Sequence, residues 1–258
     1  MKQLVKRILV FIVDPFVRRL GYEQRFFSHN EHKTNSKDDL ISAFIGLIKS
    51  AGYSPKLIVD IGANHGSWSR VWKKAFPETS FILVEPQHWL KVSFSDILDE
   101  KTKFLPIGVA ASDGIAKFTI NADRDDSSTF TLDENSASAL GYKQVEIPVK
   151  CLNTIVKEEA AFVPDMVKID AEGLDIEVLK GATDLFGKTE IFFVEASVNC
   201  PMEHTSLLKV VEFMNQAGYK VFDITDINRP FSNRLLWLLE LVFIKKNGYF
   251  SNLKWDSA

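Results

Sequence analysis

The chain is poor in the features that mark several large classes of protein. It holds only two cysteines, Cys151 and Cys200, far apart and in no metal-type spacing. A disulfide scaffold and a thiolate metal site are therefore disfavoured, and a reducing, cytoplasmic setting fits better. No basic surplus exists: the formal net charge of −3 gives no support for a nucleic-acid partner. The apolar run Ile8 to Val13 falls far short of the roughly 20 residues of a spanning helix. Asp14-Pro15 interrupts it and no small-residue cleavage site follows, so it does not read as a signal peptide either. Internal repeats and low-complexity tracts are absent. What remains is an ordinary globular composition, with enough chain for one substantial core.

The first 36 residues stand apart. Lys2, Lys6, Arg7, Arg18 and Arg19 face Asp14 alone within the first twenty positions. The segment 1–36 reads as a basic, apolar helical extension that packs on the domain or on a second subunit. A second reading lays residues 1–20 on the inner face of a membrane as a basic amphipathic helix.

From 37 to 258 short apolar runs alternate with helix-like segments, which is the signature of a doubly wound α/β domain. Asp39 to Ser50 has helical spacing, with Leu40, Phe44, Leu47 and Ile48 on one face. Strands are expected at Leu57–Ile61, Phe81–Glu85, Phe104–Ala110, Met166–Asp170, Ile191–Glu195, Tyr219–Ile224 and Leu238–Lys245, and a helix over Ser67–Phe76. Between Ser112 and Lys150 the texture changes: Lys117–Ile120 and Val145–Lys150 alternate like strands, and Asp123–Ser138 is polar and loop-like. This stretch reads as a small β-rich insertion over one edge of the sheet.

The most informative segment is Val59-Asp60-Ile61-Gly62-Ala63-Asn64-His65-Gly66, which follows a buried strand and opens a helix. Ligands of open α/β sheets bind at that junction. Glycines permit the tight turn and the close approach of a ligand, and helix N-terminal amides suit a carboxylate such as that of methionine. About twenty residues on, the second strand ends in Glu85, placed to accept both hydroxyl protons of a ribose. That pairing indicates adenosine without naming the cofactor. A dinucleotide site wants G-x-G-x-x-G, whereas Ala63 occupies the middle region here, and no G-K-[ST] is present for a phosphate loop.

These residues, with Glu85-Pro86, Val109-Ala110-Ala111-Ser112-Asp113-Gly114 and Val167-Lys168-Ile169-Asp170-Ala171-Glu172-Gly173 continuing through Glu177, Leu179, Lys180 and Gly181-Ala182, resemble the FkbM-type methyltransferases. With the closing strand Leu241–Lys245 the likeness runs from about Pro55 to Lys246. The resemblance implies a Rossmann-like class I fold, mostly parallel and seven-stranded with an antiparallel last strand. It implies S-adenosylmethionine as cofactor, held along Asp60, Gly62, Asn64, Gly66, Glu85, Val109 and Asp170. It also implies O-methylation of a small-molecule, sugar or glycan, or polyketide-like acceptor.

An alcohol is a weak nucleophile, so a base beside the acceptor oxygen would help. Asp170 is the first choice by position; Glu172, read as opening a helix, Glu195 after the fifth strand, and His204 follow. His65 and His88 lie near the cofactor segments but read more readily as exposed polar residues. Ser127 and Ser128, in the insertion, could reach the cleft or simply be solvated. Asp170 with Glu195 could hold Mg²⁺, although no spacing requires a metal. Trp68 and Trp72 share a helix face, suited to packing on the N-terminal segment or, less readily, to stacking on a sugar. Two rival functions are a nicotinamide-dependent oxidoreductase or epimerase on sugars, which lacks its Tyr-x-x-x-Lys pair here, and a non-catalytic partner in glycan assembly.

Overall fold

The computed structural model describes residues 39–121, 128–130, 132–199 and 205–253. The expected extension over 1–36, and with it Ser127, Cys200 and His204, lies outside these residues. Ten strands run in chain order: β1 (Leu57–Ile61), β2 (Ser80–Val84), β3 (Thr102–Leu105), β4 (Gly108–Val109), β5 (Gly114–Ile120), β6 (Lys143–Lys150), β7 (Met166–Ile169), β8 (Ile191–Ser197), β9 (Tyr219–Asn228) and β10 (Leu238–Lys245). Between them lie α1 (Leu40–Ser50), α2 (Ser67–Ala75), α3 (Glu134–Leu140), α4 (Leu152–Glu159), α5 (Asp175–Lys180) and α6 (Leu207–Gln216). The main sheet has the order β3-β2-β1-β7-β8-β10-β9. β3, β2, β1, β7 and β8 are mutually parallel, and β10 inserts antiparallel between β8 and β9. The last strand of the chain is thus the antiparallel one, as expected, and the architecture is that of the class I methyltransferase fold. No helix of the described residues is long and apolar enough to cross a membrane.

Period-two alternation sends each central strand's side chains to two cores. Val59, Ile61, Val167, Ile169, Phe192 and Val194 pack under α4, α5 and α6, whose Leu152, Val178, Leu179, Val210 and Met214 are buried. Ile58, Leu83, Met166 and Phe193 pack on the opposite face against Phe44 and Ile48 of α1 and Trp72 of α2. Both faces being covered, β1 is buried at all five positions.

Three expectations need correction. The strand read as Phe104–Ala110 is two strands in two sheets: β3 ends at Leu105, and β4 pairs in parallel with β6 instead. Pro106, which has no N–H to donate, stands at the break. The loop read over Asp123–Ser138 ends in helix α3, because Asp133 caps it by accepting the Ser136 N–H at 3.0 Å. The buried face of α1 is Phe44, Ile45 and Ile48, with Leu40 and Leu47 at its margins. Trp68 and Trp72 take part in the aromatic core on the α1–α2 face. Trp72 is fully buried, and both rings meet Phe193 edge-on at 5.1 and 5.5 Å between centroids.

The β-rich insertion is a three-stranded sheet, β4-β6-β5, placed between β3 and α4. A bridge from Thr119 to Thr129 ties its return segment to β5. Residues 128–130 are thereby held over the carboxyl ends of the main strands, where they become part of the cleft described below.

Phe193 joins the aromatic cluster of Phe44, Trp68 and Trp72. Phe193→Ala is expected to cost roughly 3–5 kcal/mol of stability, read from equilibrium urea unfolding; a loss under about 1 kcal/mol would contradict the packing.

Candidate active site

The turn after β1 is shaped by one close approach. Gly62 has φ +72, and a Cβ there would run into the backbone carbonyl oxygen of Asp170 at the end of β7. Any side chain is excluded both by conformation and by space. The Gly62 and Ala63 N–H groups donate to the Val84 carbonyl at 2.9 and 3.1 Å, which fastens the turn to β2 as well. Gly66, φ +78, caps α2, and a Cβ there would lie 2.7 Å from the Phe94 ring. Three strand tips are thus gathered around a single loop.

Glu85 follows β2 directly and is only 4% exposed. Its carboxylate accepts the Asn64 N–H at 2.9 Å and the Gln87 N–H at 2.9 Å, with the Gln87 side-chain amide at 3.2 Å. Burial pushes its pKa up from the ordinary range, and the Gln87 and Asn64 hydrogen bonds work against that rise. Backbone amides rather than a cation hold the charge, so the carboxylate stays available as an acceptor for a ligand hydroxyl.

Glu85 opens on a cavity of about 200 Å³ that is also lined by Gly62, Asn64, Val109, Asp170 and Glu172. Ile107, Phe118 and Phe130 supply apolar walls, and Ser128 and Thr129 come from the insertion. Among the described lining residues the charged ones are all acidic: Glu85, Asp170 and Glu172. Such a lining repels a pyrophosphate and suits a neutral or cationic ligand, such as an adenosyl sulfonium. A larger hollow of about 600 Å³ runs between α5 and α6, past Lys180, Lys209 and Phe213. It is a groove between two helices that reaches neither the glycine turn nor Glu85, so the smaller cavity is the one the strand tips define.

Asp170 has its side chain 31% exposed, and its Oδ2 accepts from Lys168 Nζ at 3.0 Å. Beyond it the chain turns sharply, with Glu172 at φ +48. Glu172 therefore does not open a helix, as had been expected. The helix begins at Asp175, whose buried carboxylate accepts the Ala171 N–H at 3.0 Å and braces the turn. Burial pushes Asp175 up to about 7 against that hydrogen bond, and the charge of Asp170 adds to the rise.

The structure brings together Gly62, Asn64, Glu85, Val109, Asp170 and Glu172, and keeps other expected site residues away. Asp60 is 0% exposed on the face opposite the cavity. It accepts from Ser69 Oγ at 2.6 Å and lies 3.8 Å from Lys168 Nζ. Its place is beneath the site, because alternation along β1 turns its side chain to the α1–α2 core. Gly66 shapes the loop without lining the cavity. Glu195 lies inside β8, in register with Glu240 of β10, since the strand continues to Ser197. It lies two residues inside the strand end and does not line that cavity. Among the described residues no cluster of three potential metal ligands occurs. His65 is exposed, its Nδ1 2.8 Å from Ser93 Oγ; His88 is exposed beside the Trp89 ring. Ser128 is buried rather than solvated: it takes the Asn121 N–H and donates to Gln87 Oε1, each at 3.1 Å. Sequence reasoning passed over Gln87, Phe130 and Lys168. Gln87 could have been found two residues past Glu85, but no local pattern points to Phe130.

Sheet order, glycine turn, strand-end carboxylate and acidic cavity define an S-adenosylmethionine-dependent methyltransferase. The chain belongs to the FkbM methyltransferases: the family's methyltransferase domain matches residues 60–221, more than half of the sequence. No curated protein matches the chain. Among solved structures, precorrin-6y C5,15-methyltransferase from Geobacter metallireducens GS-15 is 12% identical, with 83% of this chain and 93% of that one covered at a TM-score of 0.44. The Burkholderia thailandensis 1,6-didemethyltoxoflavin-N1-methyltransferase is 12% identical, covering 93% and 89% at 0.41. The plantazolicin methyltransferase BamL is 11% identical, covering 91% and 100% at 0.45. Likenesses this distant carry nothing about the acceptor.

Glu85→Gln is expected to weaken S-adenosylhomocysteine binding by roughly 10- to 100-fold, the worth of a charge-assisted hydrogen bond, and to lower the melting temperature, since its amide group would face the Asn64 or Gln87 N–H. Since burial raises the pKa of Glu85, wild-type affinity should also fall on acidification at a pH above that of a free glutamate. Calorimetric titration checks both; unchanged affinity in the folded variant would remove Glu85 from the site.

Proposed function

We propose that the chain transfers the methyl group to a hydroxyl of a small-molecule, sugar or glycan, or polyketide-like acceptor. The observation that carries this reading is Asp170, a half-open carboxylate on the same cavity as Glu85. When bound, S-adenosylmethionine supplies a sulfonium methyl whose leaving group is a neutral thioether, so the protein's main tasks are alignment and deprotonation. Glu85 receives the ribose hydroxyls. The turn from Gly62 to Gly66 and the start of α2 face the carboxylate of the methionine part. The apolar walls from Ile107, Phe118 and Phe130 take the adenine and exclude water around it. Asp170 orients the acceptor hydroxyl and takes its proton at the carboxylate as the oxygen attacks the methyl carbon.

An amine acceptor asks for a different lining. It arrives with its own lone pair once neutral, and enzymes for such acceptors often carry N/D-P-P-Y after the strand that corresponds to β7. Here Asp170-Ala171-Glu172-Gly173 occupies that place and presents two carboxylates to the cavity. Glu172 is a second-rank base, since its backbone carbonyl accepts from Thr129 Oγ1 at 3.4 Å and so ties its turn to the insertion. The segment 128–130 then closes the cofactor cleft from above and leaves the acceptor to approach from the Asp170–Glu172 side.

The test is a screen of hydroxyl and amine acceptors with methyl-labelled S-adenosylmethionine. Methylation of hydroxyl compounds is expected, with Asp170→Asn lowering kcat about 100-fold or more while cofactor affinity stays within about threefold. Methyl transfer only to amines, or an Asp170→Asn variant of full activity, would overturn the reading.

A further inference from the structure

Lys168 lies in a place where a lysine is costly. It is the third residue of β7, 6% exposed, on the face packed with Trp68, Trp72 and Phe193. A desolvated ammonium persists there only if paired. Its Nζ is 3.0 Å from Asp170 Oδ2, 3.8 Å from Asp60 Oδ1 and 5.9 Å from the centre of the Trp68 ring. Behind Trp68 stands Glu240, half-buried, whose Oε1 accepts from Trp68 Nε1 at 3.2 Å and from Thr225 Oγ1 at 2.5 Å. Glu195 of β8 and Asp226 of β9 are in register with Glu240. One lysine therefore serves a set of carboxylates drawn from β1, β7 and β10.

Asp60, Glu85, Asp175 and Glu240 each interact with Asp170 by like-charge repulsion. Repulsion of that kind pushes a carboxyl toward its protonated form. A protonated Asp170 cannot take a proton from an acceptor hydroxyl. Burial alone would lower the pKa of Lys168, but Asp170, Asp60 and Glu240 outweigh it and hold the ammonium above its ordinary value. Glu240, by contrast, is pushed by burial up to about 7, with Lys168 opposing.

We propose that Lys168 is the positioning residue of the reaction, holding Asp170 ionised and turned to the cavity from beneath the sheet. The lysine touches neither cofactor nor acceptor; it acts through Asp170 Oδ2. Asp60 and Ser69 form the rear of the clamp: Ser69 Oγ donates to Asp60, and Asp60 keeps the ammonium at the base of the β1–β7 junction. The glycine turn and Asp170 are thus tied by charge as well as by backbone contact. The inference rests on the reading of Asp170 as the acceptor-side carboxylate, but its test does not require an acceptor.

The test is the titration of Asp170 in the full chain, labelled with [¹³Cγ]aspartate, its resonance identified by its loss in Asp170→Asn. In Lys168→Met the midpoint is expected to rise by about one unit or more, and Lys168→Arg to restore it. A purely structural lysine would lower the melting temperature without moving the midpoint. An unmoved midpoint in a folded Lys168→Met would overturn the proposal, and where that variant fails to fold the same outcome in Lys168→Gln would overturn it. Failure of the hydroxyl-acceptor reading would appear separately, as full turnover by Asp170→Asn, and would leave the titration result standing.

Discussion

The contact between Gly62 and the backbone of Asp170 is the constraint on which the rest of the site depends. Two parallel strands end side by side, and the turn leaving β1 passes so close to the end of β7 that no side chain fits between them. The same turn is bonded to Val84 at the end of β2. Because the three tips are held by backbone, Glu85 and Asp170 are brought to one cavity, and side chains such as Asp175 and Lys168 only refine their placement. Parallel pairing of β1 with both neighbours makes this possible, and burial of both sheet faces keeps it rigid.

Charge is the second organising feature. The cavity shows only acidic groups among its described charged residues, and the layer beneath it holds Asp60 and Glu240 around Lys168. Isolated buried carboxylates are unfavourable, so each is met by something specific: amides for Glu85, a turn N–H for Asp175, Ser69 for Asp60, and the lysine for Asp170. The arrangement separates two tasks. Glu85 is left with acceptor capacity toward a ribose, while Asp170 carries its counter-charge on the side away from the cavity.

Much of this was legible in the sequence where local chemistry decides the outcome. Gly62, Gly66 and Glu85 announce themselves by spacing, because a strand, a tight turn and a strand-end carboxylate each have their own residue requirements. The doubly wound sheet followed from the alternation of apolar runs with helices, and its seven strands with an antiparallel last one from the family resemblance. What was not legible depended on pairing at a distance. Whether Phe104–Ala110 is one strand or two is decided by β6, forty residues on. Glu195 looked like a strand tip because its strand seemed to end there, yet pairing with β10 carries β8 two residues further. Asp60 sits in the cofactor motif but turns its side chain to the other face, which only the sheet's two-sided burial reveals. Phe130 reaches the cleft through the Thr119–Thr129 bridge, an interaction with no local signature.

The strand tips form an adenosyl site whose acidic lining repels a pyrophosphate. This is tested most directly by titrating the purified full chain with S-adenosylhomocysteine and, in parallel, with NAD⁺. The account predicts saturable micromolar binding of S-adenosylhomocysteine and no binding of NAD⁺. A folded protein that binds NAD⁺ and not S-adenosylhomocysteine would contradict it.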